Sequence, residues 1–308
     1  MVRPTADRLG RALDLFGDQW VLLMLQRAFF GVRRYNEWKH ELGISDAVLS
    51  ARLRSLVDAG VLYRRPYRDE RRMRDEYRLT DAGLELWQLL ISIWAWEYRW
   101  VPGRTDELPV LFHELCGEPT LPTLTCRGCG GAVTARDTDA TRHRRVGEVA
   151  SPRRFRRSGW ESVADRPDLF FPETMSILGD RWSTAVTAAA FLGIRRFSEL
   201  ERELGIQPSV LSRRLGELVE QGVLERRRED GRRAVHYRLT EKGRAFFPVV
   251  VTVVAWADHW IADAPRALTL VHRTCDRPLR PALSCDHCNV RLERTQIHFA
   301  PRGEKRSS

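Results

Sequence analysis

Gly43-Ile44-Ser45-Asp46-Ala47-Val48-Leu49-Ser50-Ala51-Arg52-Leu53-Arg54-Ser55-Leu56 is the stretch that decides the fold. Leu49, Leu53 and Leu56 stand at i, i+4 and i+7, a spacing that puts all three on one face of a helix. The pattern predicts a helix from about Asp46 to Ala59, with Ser45 as its N-cap and Gly60 as its stop. Upstream, Tyr35 to Leu42 reads as a short helix ending at the Gly43 turn. An amphipathic helix near 5–16 and an apolar one near 19–30 precede it. Downstream, Val61 to Arg65 reads as a strand. A charged loop and a second strand, Tyr77-Arg78-Leu79, follow, and Thr80 stands as N-cap of a long helix reaching about Trp100.

The same stretch occurs twice. Val48-Leu49-Ser50-Ala51-Arg52-Leu53 returns as Val210-Leu211-Ser212-Arg213-Arg214-Leu215, and Gly17-Asp18-Gln19-Trp20 returns as Gly179-Asp180-Arg181-Trp182, both 162 residues on. Tyr77-Arg78-Leu79-Thr80 returns 160 residues on as Tyr237-Arg238-Leu239-Thr240, so a loop between the blocks is two residues shorter in copy two. A repeat this long is one whole domain copied, not a solenoid unit. Helix, turn, helix and a two-stranded wing, given twice, predict a mainly α chain with small β-wings (α+β). Its expected segments are a first winged helix domain with a long C-terminal helix (1–100), a first Cys/His segment (101–133) and a basic linker (134–154). A second winged helix domain (155–262), a second Cys/His segment (263–295) and a basic tail (296–308) complete the chain.

The Gly-Asp-x-Trp block, the Leu-Ser-x-Arg-Leu core, the Gly-Val-Leu strand start and the Tyr-Arg-Leu-Thr strand resemble the HxlR-type winged helix-turn-helix transcription regulators. The resemblance covers roughly 5–133 and 155–295. It implies a sequence-specific regulator of double-stranded DNA. Members of that family usually act as homodimers on near-symmetric sites, so two divergent copies in one chain imply an internal pseudo-dimer on unequal half-sites, with further self-association left open. Some relatives sense oxidants through a cysteine close to the N-terminus. The first cysteine here is Cys116, so that mechanism does not carry over.

With the leucines inward, a recognition helix offers its other side to the major groove. In copy one this leaves Ser45, Asp46, Ala47, Ser50 and Arg54 as DNA-facing residues, with Arg52 beside the buried face. In copy two the matching residues are Gln207, Ser209, Ser212, Arg213 and Arg214. Arg213 suits bidentate reading of guanine. For Arg52 and Arg214, phosphate contact and support of the helix are both open. The wings add charge: residues 63–78 hold seven arginines against four acids, and 225–238 hold six against three. Arg71, Arg72 and Arg74 in the first wing and Arg232 and Arg233 in the second are therefore expected on the DNA backbone or in the minor groove.

All six cysteines fall into two matching patterns, His113-x2-Cys116-x9-Cys126-x2-Cys129 and His272-x2-Cys275-x9-Cys285-x2-Cys288. Three thiolates and one imidazole suit a closed tetrahedral zinc site, one expected per copy, structural because no position is left for water. Thiol–disulfide sensing and plain buried thiols are the rival readings, and His143, His287 or water are alternatives for the fourth ligand.

The chain has 308 residues, 51 Lys and Arg against 41 Asp and Glu, and a formal charge of +10. That excess favours an anionic partner, nucleic acid before a membrane surface. Six cysteines are too few for a disulfide scaffold. The first residues lack the apolar core of a secretory signal, and the longest apolar run, Ala245 to Ala257, falls short of the roughly 20 residues a bilayer span needs. A soluble, cytoplasmic chain with no membrane contact is expected. Phosphate-cradling, dinucleotide, His-Glu-x-x-His and Gly-x-Ser-x-Gly motifs are missing, which argues against an enzyme. The readings from other classes are a zinc-stabilised protein–protein adaptor and a thiol-based redox sensor. Trp87, Trp94, Trp96, Tyr98 and Trp100 crowd the helix after the first wing, with Phe246, Phe247, Trp256 and Trp260 after the second. These aromatics suit a helix interface or a pocket for a small-molecule effector; an oxidant is the other effector left open.

Overall fold

The computed structural model describes residues 7–69, 72–146, 171–228 and 235–300. Copy one begins with α1 (Arg8–Phe16) and α2 (Gln19–Phe29), followed by α3 (Tyr35–Leu42) and α4 (Asp46–Asp58). The Gly-Asp-x-Trp block explains itself in this frame: Asp18 is the N-cap of α2, and its Oδ1 accepts from the backbone N–H of Trp20 and Val21. Gly43 closes α3 in the left-handed region at φ 61°, where a side chain would be strained, and so turns the chain into α4. Leu49, Leu53 and Leu56 are buried as their spacing requires. Ser45 occupies the N-cap position in extended geometry, but its hydroxyl makes no capping bond.

The wing is longer than the sequence suggests. β1 (Leu62–Asp69) and β2 (Arg72–Leu79) pair antiparallel along their whole length, Leu62 opposite Leu79 and Asp69 opposite Arg72. Arginines on both faces remove the alternation that marks a half-buried strand, and Pro66 reads as a break. A two-stranded ribbon has two free edges, so a proline without an N–H is tolerated there. Thr80 caps the next helix through Gly83 N–H as expected, yet that helix is divided: α5 (Asp81–Glu85) turns at Leu86 into α6 (Trp87–Trp100).

A one-turn α7 (Arg104–Glu107) leads into β3 (Val110–His113), β4 (Thr123–Cys126) and β5 (Thr138–Arg142). Copy two repeats the order with α8 (Pro172–Leu178), α9 (Arg181–Phe191), α10 (Phe197–Leu204), α11 (Pro208–Glu220), β6 (Leu224–Arg228), β7 (Val235–Leu239), α12 (Glu241–Ala245) and α13 (Phe247–Trp260). It ends in β8 (Leu268–His272), β9 (Arg277–Pro278), β10 (Pro281–Ser284) and β11 (Ile297–Ala300).

One continuous apolar core runs through both copies. The two long helices, α6 and α13, pack together, and their tryptophans reach across in matching fashion. Trp96 Nε1 donates to Lys242 O at 3.0 Å, while Trp256 Nε1 donates to Ala82 O at 2.8 Å. The first helix of each copy lies against the long helix of the other. Arg8 on α1 donates to Asp258 O and Ala264 O, and Thr174 N–H on α8 donates to the buried Glu97 at 2.8 Å. The strands exchange as well. β3 pairs with β11, β4 with β10 and β5 with β8, every pair joining one copy to the other. Residues 138–142, read from composition as linker, and 297–300, read as tail, are thus strands whose partners lie in the opposite copy.

Candidate nucleic-acid interface and metal centres

The outward face of α4 is as the leucine spacing requires. Ser45, Asp46, Ala47 and Arg54 are exposed, and Ser50 is half-buried. On α11, Gln207, Ser209, Ser212 and Arg213 are all exposed. The two faces differ in how their first turns are held. In copy one, Lys39 Nζ donates to Asp46 Oδ2 at 2.7 Å, and the Tyr35 hydroxyl lies 3.0 Å from Asp46 Oδ1 and 3.1 Å from Ser50 Oγ. The hydrogen bond from Lys39, then that from Tyr35, holds the Asp46 carboxyl below the ordinary carboxylate range. Copy two has Phe197, Glu201 and Pro208 at those positions, which cannot form this network.

Arg52 and Arg214 point back into the protein. Arg52 Nη2 lies 2.6 Å from Asp18 Oδ2, and Arg214 Nη2 lies 2.7 Å from Asp180 Oδ2. Each N-capping aspartate therefore uses one oxygen on its own helix and the other on the recognition helix. Of the two roles open for these arginines, this geometry favours support. Asp18 and Asp180 are not among the expected site residues; each stands 34 residues before Arg52 or Arg214, and the joint recurrence of the two residue types at that separation was the available signal.

The first wing exposes Arg64, Arg65, Arg68, Arg72 and Arg74, with Arg74 Nε 3.2 Å from Asp69. The second exposes Arg226, Arg227 and Arg228. Arg71, Arg232 and Arg233 lie outside the described residues. Each wing is tied to its helices: Tyr77 N–H donates to Arg33 O, and Tyr237 N–H to Arg195 O, both at 2.9 Å.

The eight metal-ligating candidates gather in two clusters, but the ligand sets are crossed relative to the expectation of one site per copy. His113 and Cys116 meet Cys285 and Cys288; Cys126 and Cys129 meet His272 and Cys275. In each cluster the four donor atoms lie within 4.8 Å of one another. The crossing follows from strand pairing. β4 pairs with β10, not with β3, so Cys285, just past β10, emerges near Thr120 at the foot of β4. There Asp286 Oδ1 accepts from the Thr120 hydroxyl at 2.9 Å and from Leu121 N–H at 3.0 Å.

The spacing suits a tetrahedral metal. With zinc–sulfur bonds of about 2.3 Å and zinc–nitrogen bonds of about 2.0 Å, tetrahedral edges are roughly 3.8 Å between sulfurs and 3.5 Å between sulfur and nitrogen. Cys116 Sγ and Cys285 Sγ are 3.9 Å apart, and His113 Nδ1 lies 3.4 Å from Cys116 Sγ and 3.3 Å from Cys288 Sγ. His272 Nδ1 lies 3.4 Å from Cys129 Sγ and 3.5 Å from Cys275 Sγ. A disulfide needs about 2.05 Å, and all six thiols are free. His143 stands apart, its Nε2 2.8 Å from the Thr269 hydroxyl, and His287 is in neither cluster. Local fields divide the thiols. Burial works to raise the Cys126 pKa, but the N–H groups of Gly128, Cys129 and Arg280 together hold it at about 7. At Cys275 burial and the neighbouring Cys129 push the thiol up.

No helix among the described residues is long and apolar enough to cross a membrane. The chain resembles several bacterial proteins. It is 43% identical over 132 residues to the uncharacterized HTH-type transcriptional regulator Rv3095 of Mycobacterium tuberculosis, covering 42% of this chain and 82% of that one. It is 34% identical over 87 residues to the HTH-type transcriptional regulator YodB of Bacillus subtilis, covering 28% and 78%. Among solved structures, PA1607 is 40% identical with a TM-score of 0.27, covering 30% of this chain and 64% of that one. PA1374 from Pseudomonas aeruginosa is 38% identical with a TM-score of 0.28, covering 35% and 75%. These relatives are named as regulators, not enzymes. The HxlR-like helix-turn-helix family matches residues 15–105 and again 177–265, more than half of the chain, and the protein belongs to that family.

Proposed function

We propose that this protein is a transcriptional regulator that binds double-stranded DNA as an internal pseudo-dimer. α4 and α11 enter the major groove and the arginine-rich wings lie along the backbone. The observation that carries the reading is the sidedness of α4 and α11. Each buries its leucines and keeps its first-turn polar face exposed beside an arginine-rich hairpin. Ser45, Asp46, Ala47, Ser50 and Arg54 read one half-site, and Gln207, Ser209, Ser212 and Arg213 the other, with Arg72 and Arg74 on phosphates. Arg52 and Arg214 position their helices. Because Ala51 stands where copy two has Arg213, the half-sites are unequal.

Two structural zinc ions fit the crossed clusters. Bound there, each ion supplies a closed four-ligand tether and no open coordination position. His113 and Cys116 would hold one ion together with Cys285 and Cys288, while His272 and Cys275 would hold the other together with Cys126 and Cys129. Each ion would tether the two copies and so set the separation of α4 and α11. The test is selection from random duplexes followed by titration at two salt concentrations. The reading expects an asymmetric site and an affinity loss of about 10³-fold or more between 50 and 200 mM salt if six or more phosphates are engaged. Weak, sequence-blind binding would favour the adaptor reading instead.

A further inference from the structure

The duplication provides an internal control for cavities. One cavity lies between α2 and α6 of copy one, the start of α8, and the β3–β11 pair. A second lies at the equivalent junction of copy two, between α9, α13, α1 and the β8–β5 pair. The correspondence holds side chain by side chain. Phe30, Trp87, Trp94 and Phe299 line the first, and Leu192, Phe247, Val254 and Ala140 hold the matching places in the second. Although its walls are built from smaller residues, the second cavity closes to about 90 Å³, whereas the first stays open at about 450 Å³. The fold therefore does not require a large hollow at this junction. An unfilled hollow loses contacts on every wall, and about 450 Å³ lies within the range of small-molecule sites.

The walls indicate what would fill it. Trp94 and Phe299 meet edge to face at 5.3 Å, with Phe30 6.4 Å from Phe299 and 55% exposed at the rim. This arrangement presents ring faces and edges to a flat guest. The polar lining is Gln26, Arg27, Arg294 and His298, and no carboxylate is among the lining residues. Outside the lining, Glu41 Oε2 lies 3.8 Å from Arg27 Nη1 and Glu114 pairs with His298, so a guest's carboxylate would share Arg27 with Glu41. Copy two has Ala188 and Ala189 where copy one has Gln26 and Arg27. We infer that the copy-one cavity is an effector site for a planar aromatic carboxylate, its ring among Trp87, Trp94 and Phe299 and its anionic edge toward Arg27. A guest there touches both copies at once, α2 of one and β11 of the other. Phe30 is also only three residues from Arg33, whose carbonyl holds the first wing. Occupancy therefore bears on how the wing and the two copies are set. The site stands independently of the DNA reading; its effector role rests on it.

The test is calorimetric titration of 2-naphthoate into the full-length, zinc-loaded chain, with DNA affinity measured alongside. One saturable site is expected. Leu90→Trp, which fills the cavity, should weaken it at least tenfold. Arg27→Gln should weaken naphthoate at least fivefold while leaving the neutral 2-naphthamide unchanged. Val250→Trp, which fills the copy-two cavity, should leave naphthoate binding as it was. The absence of saturable binding up to millimolar naphthoate would overturn the site. So would binding that survives Leu90→Trp and ignores Arg27→Gln, or that is lost in Val250→Trp. Saturable binding with unchanged DNA affinity would overturn the effector role alone, and if the chain has no DNA affinity the calorimetric arm still decides the site.

Discussion

Asp18 and Asp180 each divide one carboxylate between two helices, and this shared use fixes where a recognition helix sits. Asp18 caps α2 and takes Arg52 from α4 at 2.6 Å, with only 7% of its side chain exposed. Arg52→Ala leaves that aspartate without its cation, which should cost about 1–2 kcal/mol of stability. Denaturant unfolding checks this, and an unchanged midpoint would return Arg52 to the surface. Arg213 is the contrasting case on the proposed reading. Exposed and on the outward face, it should cost DNA affinity about 1–3 kcal/mol when changed to Ala, relaxing specificity at one position without altering stability. Glu97 gives a pH signature. Burial raises its pKa against the opposing N–H of Thr174 and the charge of Arg104. A carboxyl whose folded pKa is raised disfavours the folded state once ionised, so stability falls as pH climbs from the ordinary carboxylate range through the raised value. Glu97→Gln keeps an acceptor for Thr174 N–H and should flatten that fall, which melting curves across pH will register.

Among the elements, legibility in the sequence followed burial. α4 and α11 were readable because Leu49, Leu53 and Leu56, and their partners Leu211, Leu215 and Leu218, are buried at helical spacing. The wings were readable as hairpins but not in length, because strands exposed on both faces carry no alternation to read. β5 was not legible. Thr138-Asp139-Ala140-Thr141-Arg142 is mostly exposed, and its partner β8 lies in the other copy, where local pattern has no reach. The break at Leu86 was hidden for a different reason: no proline or turn motif marks it in the first copy, and α5 packs against both β2 and α13, contacts that local pattern does not show. At this scale the arginine hairpins make a prediction. Arg72→Ala should weaken binding about equally for all sequences and reduce the slope of affinity against salt by about one phosphate's worth, as anisotropy titrations would report. A sequence-selective loss would instead put that residue on base edges.

For the molecule as a whole, spacing identified all eight ligand candidates but could not say which belong together. Both copies present the same two half-sites, a His-x2-Cys corner and a Cys-x2-Cys knuckle, so a set within one copy and a set across copies satisfy the spacing equally. Only the strand exchange separates them, since β4 pairs with β10 and carries each knuckle to the opposite corner. On the proposed reading, the basic wings and the crossed clusters would belong to one design, two DNA readers whose separation two metals would set. The direct test is alkylation mapping of the zinc-loaded Cys116→Ser variant by mass spectrometry. The crossed arrangement predicts loss of one zinc, with Cys285 and Cys288 becoming reactive while Cys126, Cys129 and Cys275 stay protected. Reactive Cys126 and Cys129 beside protected Cys285 and Cys288 would contradict it.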